Sequence, residues 1–84
     1  MGNRINRLEA CLEYLPKLKS YSRILLMYLL INDKEGKGIH LRQWWIMEET
    51  GLSQRALTLA IAELEKNNLL VRQGTIGARF IINL

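Results

Sequence analysis

One cysteine, one proline and one histidine are spread over 84 residues, and each scarcity removes a class of protein. Cys11 alone cannot close an intrachain disulfide, and a chain without disulfides suits a reducing cytoplasm, the expected compartment. His40 has no cysteine or carboxylate at ligand spacing, so no metal site is expected. No stretch approaches the ~20 apolar residues of a membrane span; the longest run is Ile24 to Ile31. Arg4 and Arg7 are followed by Glu9 and Glu13, which is not the pattern of a secretory leader. A phosphate-binding glycine loop and a nucleophile paired with a base are both missing. Glu48–Glu49 and Glu63–Glu65 read as solvated helix faces. The expectation is a protein that is not an enzyme and uses no cofactor.

What is present is a globular balance, 49% hydrophobic and 24% charged residues, in one domain spanning 1–84. A chain this short buries only about two-thirds of its unfolded surface, so the core is marginal and pairing with a second copy is favoured. The net charge is +4. This modest basic excess favours a polyanionic partner, because cations near phosphates release counterions.

Along the chain, Ile5, Leu8, Leu12 and Leu15 recur at helical spacing and predict an amphipathic helix over 4–15. Pro16 ends or kinks it. Ser20 or Ser22 can cap a second helix from about Tyr21 to Asn32, apolar almost all round and therefore central to the core or shared with a partner. Asn32 to Gly38 is a polar loop. Ile39–His40–Leu41 is a short extended piece able to pair with the edge of a later hairpin. Arg42 to Thr50 reads as a third helix stopped by Gly51, and Ser53 caps a fourth running to about Asn67. Asn68 stands where a left-handed residue ends a helix. Leu69–Gln73 and Ala78–Leu84 are β-prone, and the glycines between them predict a hairpin.

The informative stretch is Gln43 to Leu70. Gly51 allows a sharp turn between two short helices. Leu52 drops toward the core as a plug, and Ser53 opens the next helix. Leu57, Ala60, Ile61 and Leu64 form one apolar stripe behind it, as Ile46 and Met47 do on the preceding helix. Such packing leaves the first turn of the second helix exposed. Trp44 and Trp45 point about 100° apart, so one is expected on the core and the other against the first helix or a partner subunit, with cover of both by the first helix slightly preferred.

The run Gly51-Leu52-Ser53-Gln54-Arg55-Ala56-Leu57, continued by Ile61-Ala62-Glu63-Leu64-Glu65-Lys66-Asn67-Asn68-Leu69-Leu70, resembles the recognition-helix signature of bacterial winged helix-turn-helix proteins, both the MarR-type regulators and the plasmid replication initiators. The closing segment Arg79-Phe80-Ile81-Ile82-Asn83 is similar to the final wing strand of the initiators. Departures are Leu59, where a polar or basic residue is usual, Ala56 in place of a small hydroxyl residue, and Thr75–Ile76 in place of an arginine-rich wing tip. The resemblance implies a mainly α fold with a small β-hairpin wing (α+β), namely a winged helix-turn-helix. It further implies binding to double-stranded DNA, with helix 53–67 in the major groove and wing 72–79 on the backbone or in the minor groove.

On that resemblance Ser53, Gln54, Arg55 and Thr58 face outward. Gln54 is placed to read adenine and Arg55 guanine. Arg72 and Arg79 reach phosphates or the minor groove, Gln73 and Thr75 add polar contacts, and Arg42 clamps a phosphate. The expected partner besides DNA is a second copy, a homodimer held through Ile5, Leu8, Leu12, Leu15 and Trp45. Transcription regulation, an accessory or initiator task at a plasmid or phage replication or transfer origin, and a winged-helix module that binds protein instead of DNA remain open.

Overall fold

A computed structural model describes residues 3–74 and 79–84. The order is α1 (Asn3–Tyr14), a single 3-10 turn (Leu15–Lys17), α2 (Ser20–Asn32), β1 (Ile39–His40), α3 (Gln43–Thr50), α4 (Gln54–Lys66), β2 (Leu70–Gln73) and β3 (Arg79–Ile82). The fold is mainly helical with a small antiparallel sheet of strand order β1-β3-β2. The expected hairpin thus gains a third strand: Ile39 lies opposite Phe80 and His40 opposite Arg79. No helix among the described residues is long and apolar enough to cross a membrane.

The core is built on α2. Leu25, Leu26, Leu29 and Leu30 are buried on one side of it. They meet Leu57, Ala60, Ile61 and Leu64 of α4, and the α2–α4 contact is the most extensive between any two elements. Ile46 from α3 and Leu70, Phe80 and Ile82 from the sheet close the cluster. Each wholly buried aliphatic or aromatic side chain here contributes roughly 1.5–3 kcal/mol through apolar area removed from water.

Several local expectations change. Neither serine caps α2: Lys19 is its N-cap residue, without a side-chain bond. A carboxylate from another helix does the work, because Lys19 N–H donates to Glu63 Oε1 at 3.1 Å. An anion there also complements the positive end of the helix dipole. Ser22 lies instead in the core, and its hydroxyl has no hydrogen-bond partner among the described residues. In α1, Cys11 takes the fully buried place, Leu8 packs partly against the core, as does Leu15 of the 3-10 turn, and Leu12 is left 61% exposed. The seam is shifted from the even leucine stripe because Cys11 meets Met27 of α2, sulfur to sulfur at 3.8 Å. The side chain of Ile5 lies outside the described residues.

One buried carboxylate organises the loop before β1. Asp33 is 2% exposed. Its Oδ1 accepts from the N–H groups of Gly36 at 3.0 Å and Gly38 at 3.2 Å, and its Oδ2 pairs with Arg7 Nη2 at 3.1 Å. Arg7 Nη1 also donates to the Asp33 carbonyl at 3.3 Å. The cluster ties α1, the end of α2 and the approach to the sheet together. Gly38 adopts φ 91° and a Cβ there would fall 2.9 Å from Ile81 Cγ1. Only glycine lets the loop lie this close to β3.

Two substitutions should move stability in opposite directions. Asp33→Ala strands Arg7 and two N–H groups, and should cost about 3 kcal/mol. Ser22→Ala removes a buried hydroxyl that bonds to none of the described residues, and should gain about 1 kcal/mol. Urea unfolding midpoints of the two variants against the parent decide both signs.

Candidate nucleic-acid interface

The turn between α3 and α4 is held by three local devices. Gly51 ends α3 in the left-handed region at φ 78°, with its N–H on the Met47 carbonyl at 2.9 Å. Thr50 Oγ1 donates to the Ile46 carbonyl at 2.6 Å and accepts from Leu52 N–H at 3.2 Å, so one hydroxyl bridges helix end and turn. Leu52 packs partly against the core, as a plug should. Ser53 Oγ then accepts from Ala56 N–H at 3.1 Å and starts α4. Loss of such a cap typically costs ~1 kcal/mol.

At its other end α4 closes as its sequence predicts. Asn68 takes φ 59°, Asn68 N–H donates to the Glu65 carbonyl and Leu69 N–H to the Leu64 carbonyl, with Leu69 buried beneath. This pair of bonds is a Schellman termination. It aims the chain directly into β2.

Burial of the Leu57–Leu64 stripe leaves Ser53, Gln54, Arg55, Thr58, Leu59, Ala62 and Lys66 exposed. The first turn contains no acidic residue. Arg55 has no carboxylate within ion-pair distance among the described residues. The Thr58 hydroxyl is turned back to the Gln54 carbonyl at 2.9 Å, so it offers only its acceptor side outward. Beside α4 lies a cleft of about 230 Å³, bounded by Gln43, Thr58, Ala62, Glu65 and Arg72.

The remaining sequence-predicted residues fall in different places. Arg72 is paired in register with Phe80 and therefore shares the sheet face that turns toward α4. There its Nε meets Glu65 Oε2 at 3.1 Å, and it forms a wall of the cleft. Gln73 and Arg79 are opposite each other in the register and lie on the other face, where Arg79 Nη1 donates to the Lys37 carbonyl at 3.1 Å. Arg42 is the exposed N-cap residue of α3. Thr75 lies outside the described residues. The structure thus brings Ser53, Gln54, Arg55 and Thr58 together on α4, adds Arg72 at the cleft, and leaves Gln73 and Arg79 on the far face of the sheet.

Comparison with known proteins adds no relative. No family model matches the chain, and no match was found among curated proteins or among solved structures. The reading of this surface therefore rests on its geometry and on the sequence pattern. Among the described residues, no three histidine, cysteine, aspartate or glutamate side chains gather as metal ligands.

The two tryptophans differ from expectation. Neither packs on the core: Trp44 is 56% and Trp45 45% exposed. They rest on each other instead, ring centroids 5.3 Å apart and nearly perpendicular. The core position on α3 goes to Ile46, and α1 packs on α2. Next to them, Gln43 reaches the cleft.

Sequence reasoning also missed the joint that sets the far end of α3. Tyr28 Oη donates to Glu49 Oε1. Burial, this hydrogen bond and the glutamate's negative charge together push the phenol up from 10.0 to about 12. Because the folded value is raised, the stability that neutral Tyr28 contributes is complete below about pH 10 and is lost as pH climbs toward 12. A near-ultraviolet absorbance titration should show one phenol ionising near pH 12 in the folded protein. That late step should vanish in Tyr28→Phe; its persistence would place the shift on another tyrosine.

Proposed function

We propose that this chain is a winged helix-turn-helix protein that binds double-stranded DNA, inserting the N-terminal half of α4 into the major groove. One observation carries the reading. The exposed first turns of α4 present Ser53, Gln54, Arg55 and Thr58 with no acidic side chain in the first turn, on a helix whose other face is locked into the core.

The chemistry suits base edges. Arg55 can give two parallel hydrogen bonds to guanine, and Gln54 can pair with adenine. Leu59, exposed on the same helix, suits the methyl group of thymine. Ala62 keeps the middle of the helix surface low, so the backbone can approach closely. Arg42 at the start of α3 is placed for a phosphate, and the β2–β3 hairpin beside α4 takes the wing's role. Arg72 contributes less than a free cation would, since Glu65 neutralises it before DNA arrives. Affinity is correspondingly expected to lean on Arg42, Arg55 and Lys66, and a regulatory or origin-binding task fits this surface equally well.

A second reading, a module that docks on protein, is favoured by the exposed Trp44–Trp45 pair and by Leu59. Salt separates the two. Fluorescence anisotropy with a labelled mixed-sequence duplex should give binding that weakens steeply as salt rises. Arg55→Ala should weaken selected-site binding roughly tenfold and relax base preference, whereas Arg42→Ala should weaken all duplexes alike and lower the salt slope by about one. Absence of salt-dependent binding by the folded parent overturns the DNA reading.

A further inference from the structure

The helix that carries the core is apolar on its outer side as well. Opposite its buried leucines, α2 presents Ile24, Met27, Tyr28 and Ile31, spaced i, i+3, i+4 and i+7, so that they form one straight stripe. Ile24 is 44% and Ile31 51% exposed. Together with the C-terminal end of α3 they line an open groove of about 440 Å³. A polar residue at either isoleucine would serve a solvated helix face better, so the stripe calls for a cover.

We propose that this groove is the dimerisation surface of the protein, and that its occupant is the same groove of a second copy. Charge singles out this occupant. Among the described residues, the charged side chains lining it are Arg23 and Glu49, one of each sign, and neither is in an ion pair there. Arg23 uses its Nε on the Leu18 carbonyl at 2.9 Å, which leaves its terminal nitrogens available. Glu49 accepts from Tyr28 through Oε1, which leaves Oε2 available. A two-fold axis through the stripe sets Arg23 of each copy against Glu49 of the other, and both charges are answered at once.

Two chains of net charge +4 repel. They associate best through a patch that is locally neutral and apolar, as this one is. The stripe lies on the side of α2 opposite the one that packs on α4. The interface differs from the one expected from sequence, of which Leu8 and Leu15 pack partly on the core while Leu12 and Trp45 are exposed. It stands independently of DNA binding.

Sedimentation velocity of the full chain without DNA, over a concentration series, tests it. The parent should pass from monomer to dimer. Ile24→Glu with Ile31→Glu, both at exposed positions, should remain monomeric. Arg23→Glu and Glu49→Arg should each weaken self-association by roughly tenfold or more, since each makes both contacts like-charged. An equimolar mixture of these two variants should recover the dimer, because in the mixed pair both contacts again join opposite charges. Circular dichroism establishes that each variant is folded. A parent that stays monomeric, a dimer indifferent to the groove substitutions, or a mixture that fails to recover would each overturn the proposal; a dimer through α1 or the tryptophans would give the second of these results.

Discussion

The whole architecture depends on the packing of α4 against α2. Leu57, Ala60, Ile61 and Leu64 are buried against Leu25, Leu26, Leu29 and their neighbours, and that single seam settles which way α4 faces. A helix rotates about its axis only by trading buried for exposed side chains. Turning α4 by one position would bring Thr58 or Ala62 inward and expel a leucine or isoleucine, at a cost of roughly 2 kcal/mol per side chain. The outward position of Gln54, Arg55 and Thr58 is therefore a consequence of the core. The capping devices at both ends of α4 refine its length and entry, and the seam determines its orientation.

The same helix α2 gives the molecule a second side. Its inner leucines build the domain, and its outer isoleucines are left over. Between these two faces run the joints that hold the remaining elements in place: Glu63 on the start of α2, Tyr28 on Glu49 at the end of α3, and Asp33 on Arg7 and the loop to β1. Each joint links residues far apart in the chain through a carboxylate. Three of the eight acidic residues thus serve as structural acceptors, and of these three Asp33 is the one paired with a cation among the described residues.

Much of this was legible in the residues because it is local. Glycine at 51, serine at 53 and asparagine at 68 stand where a turn, a cap and a left-handed termination demand them, and the structure puts those features there. The apolar stripe of α4 follows from spacing alone, and the short extended piece Ile39–His40 pairs with the hairpin's edge as expected. What could not be read depends on non-local geometry. Nothing near Lys19 announces that its N–H will be met by Glu63, and nothing near Asp33 announces Arg7. The tryptophans were misplaced for a related reason. Their size argues for burial, but α3 has room for only one fully buried side chain, and Ile46 occupies it. Likewise the sequence places Arg72 for phosphates or the minor groove without announcing that strand register also sets it beside Glu65.

The central claim is that the core-imposed outer face of α4 meets DNA. Backbone amide NMR during titration with a short duplex at low salt tests it most directly, because it reports position as well as binding. The account predicts that the perturbed amides cluster from Ser53 to Thr58, with a smaller group at Arg42 to Trp45, while the α2 stripe is silent. Perturbations centred on the far face of the sheet, or none at all, would contradict it.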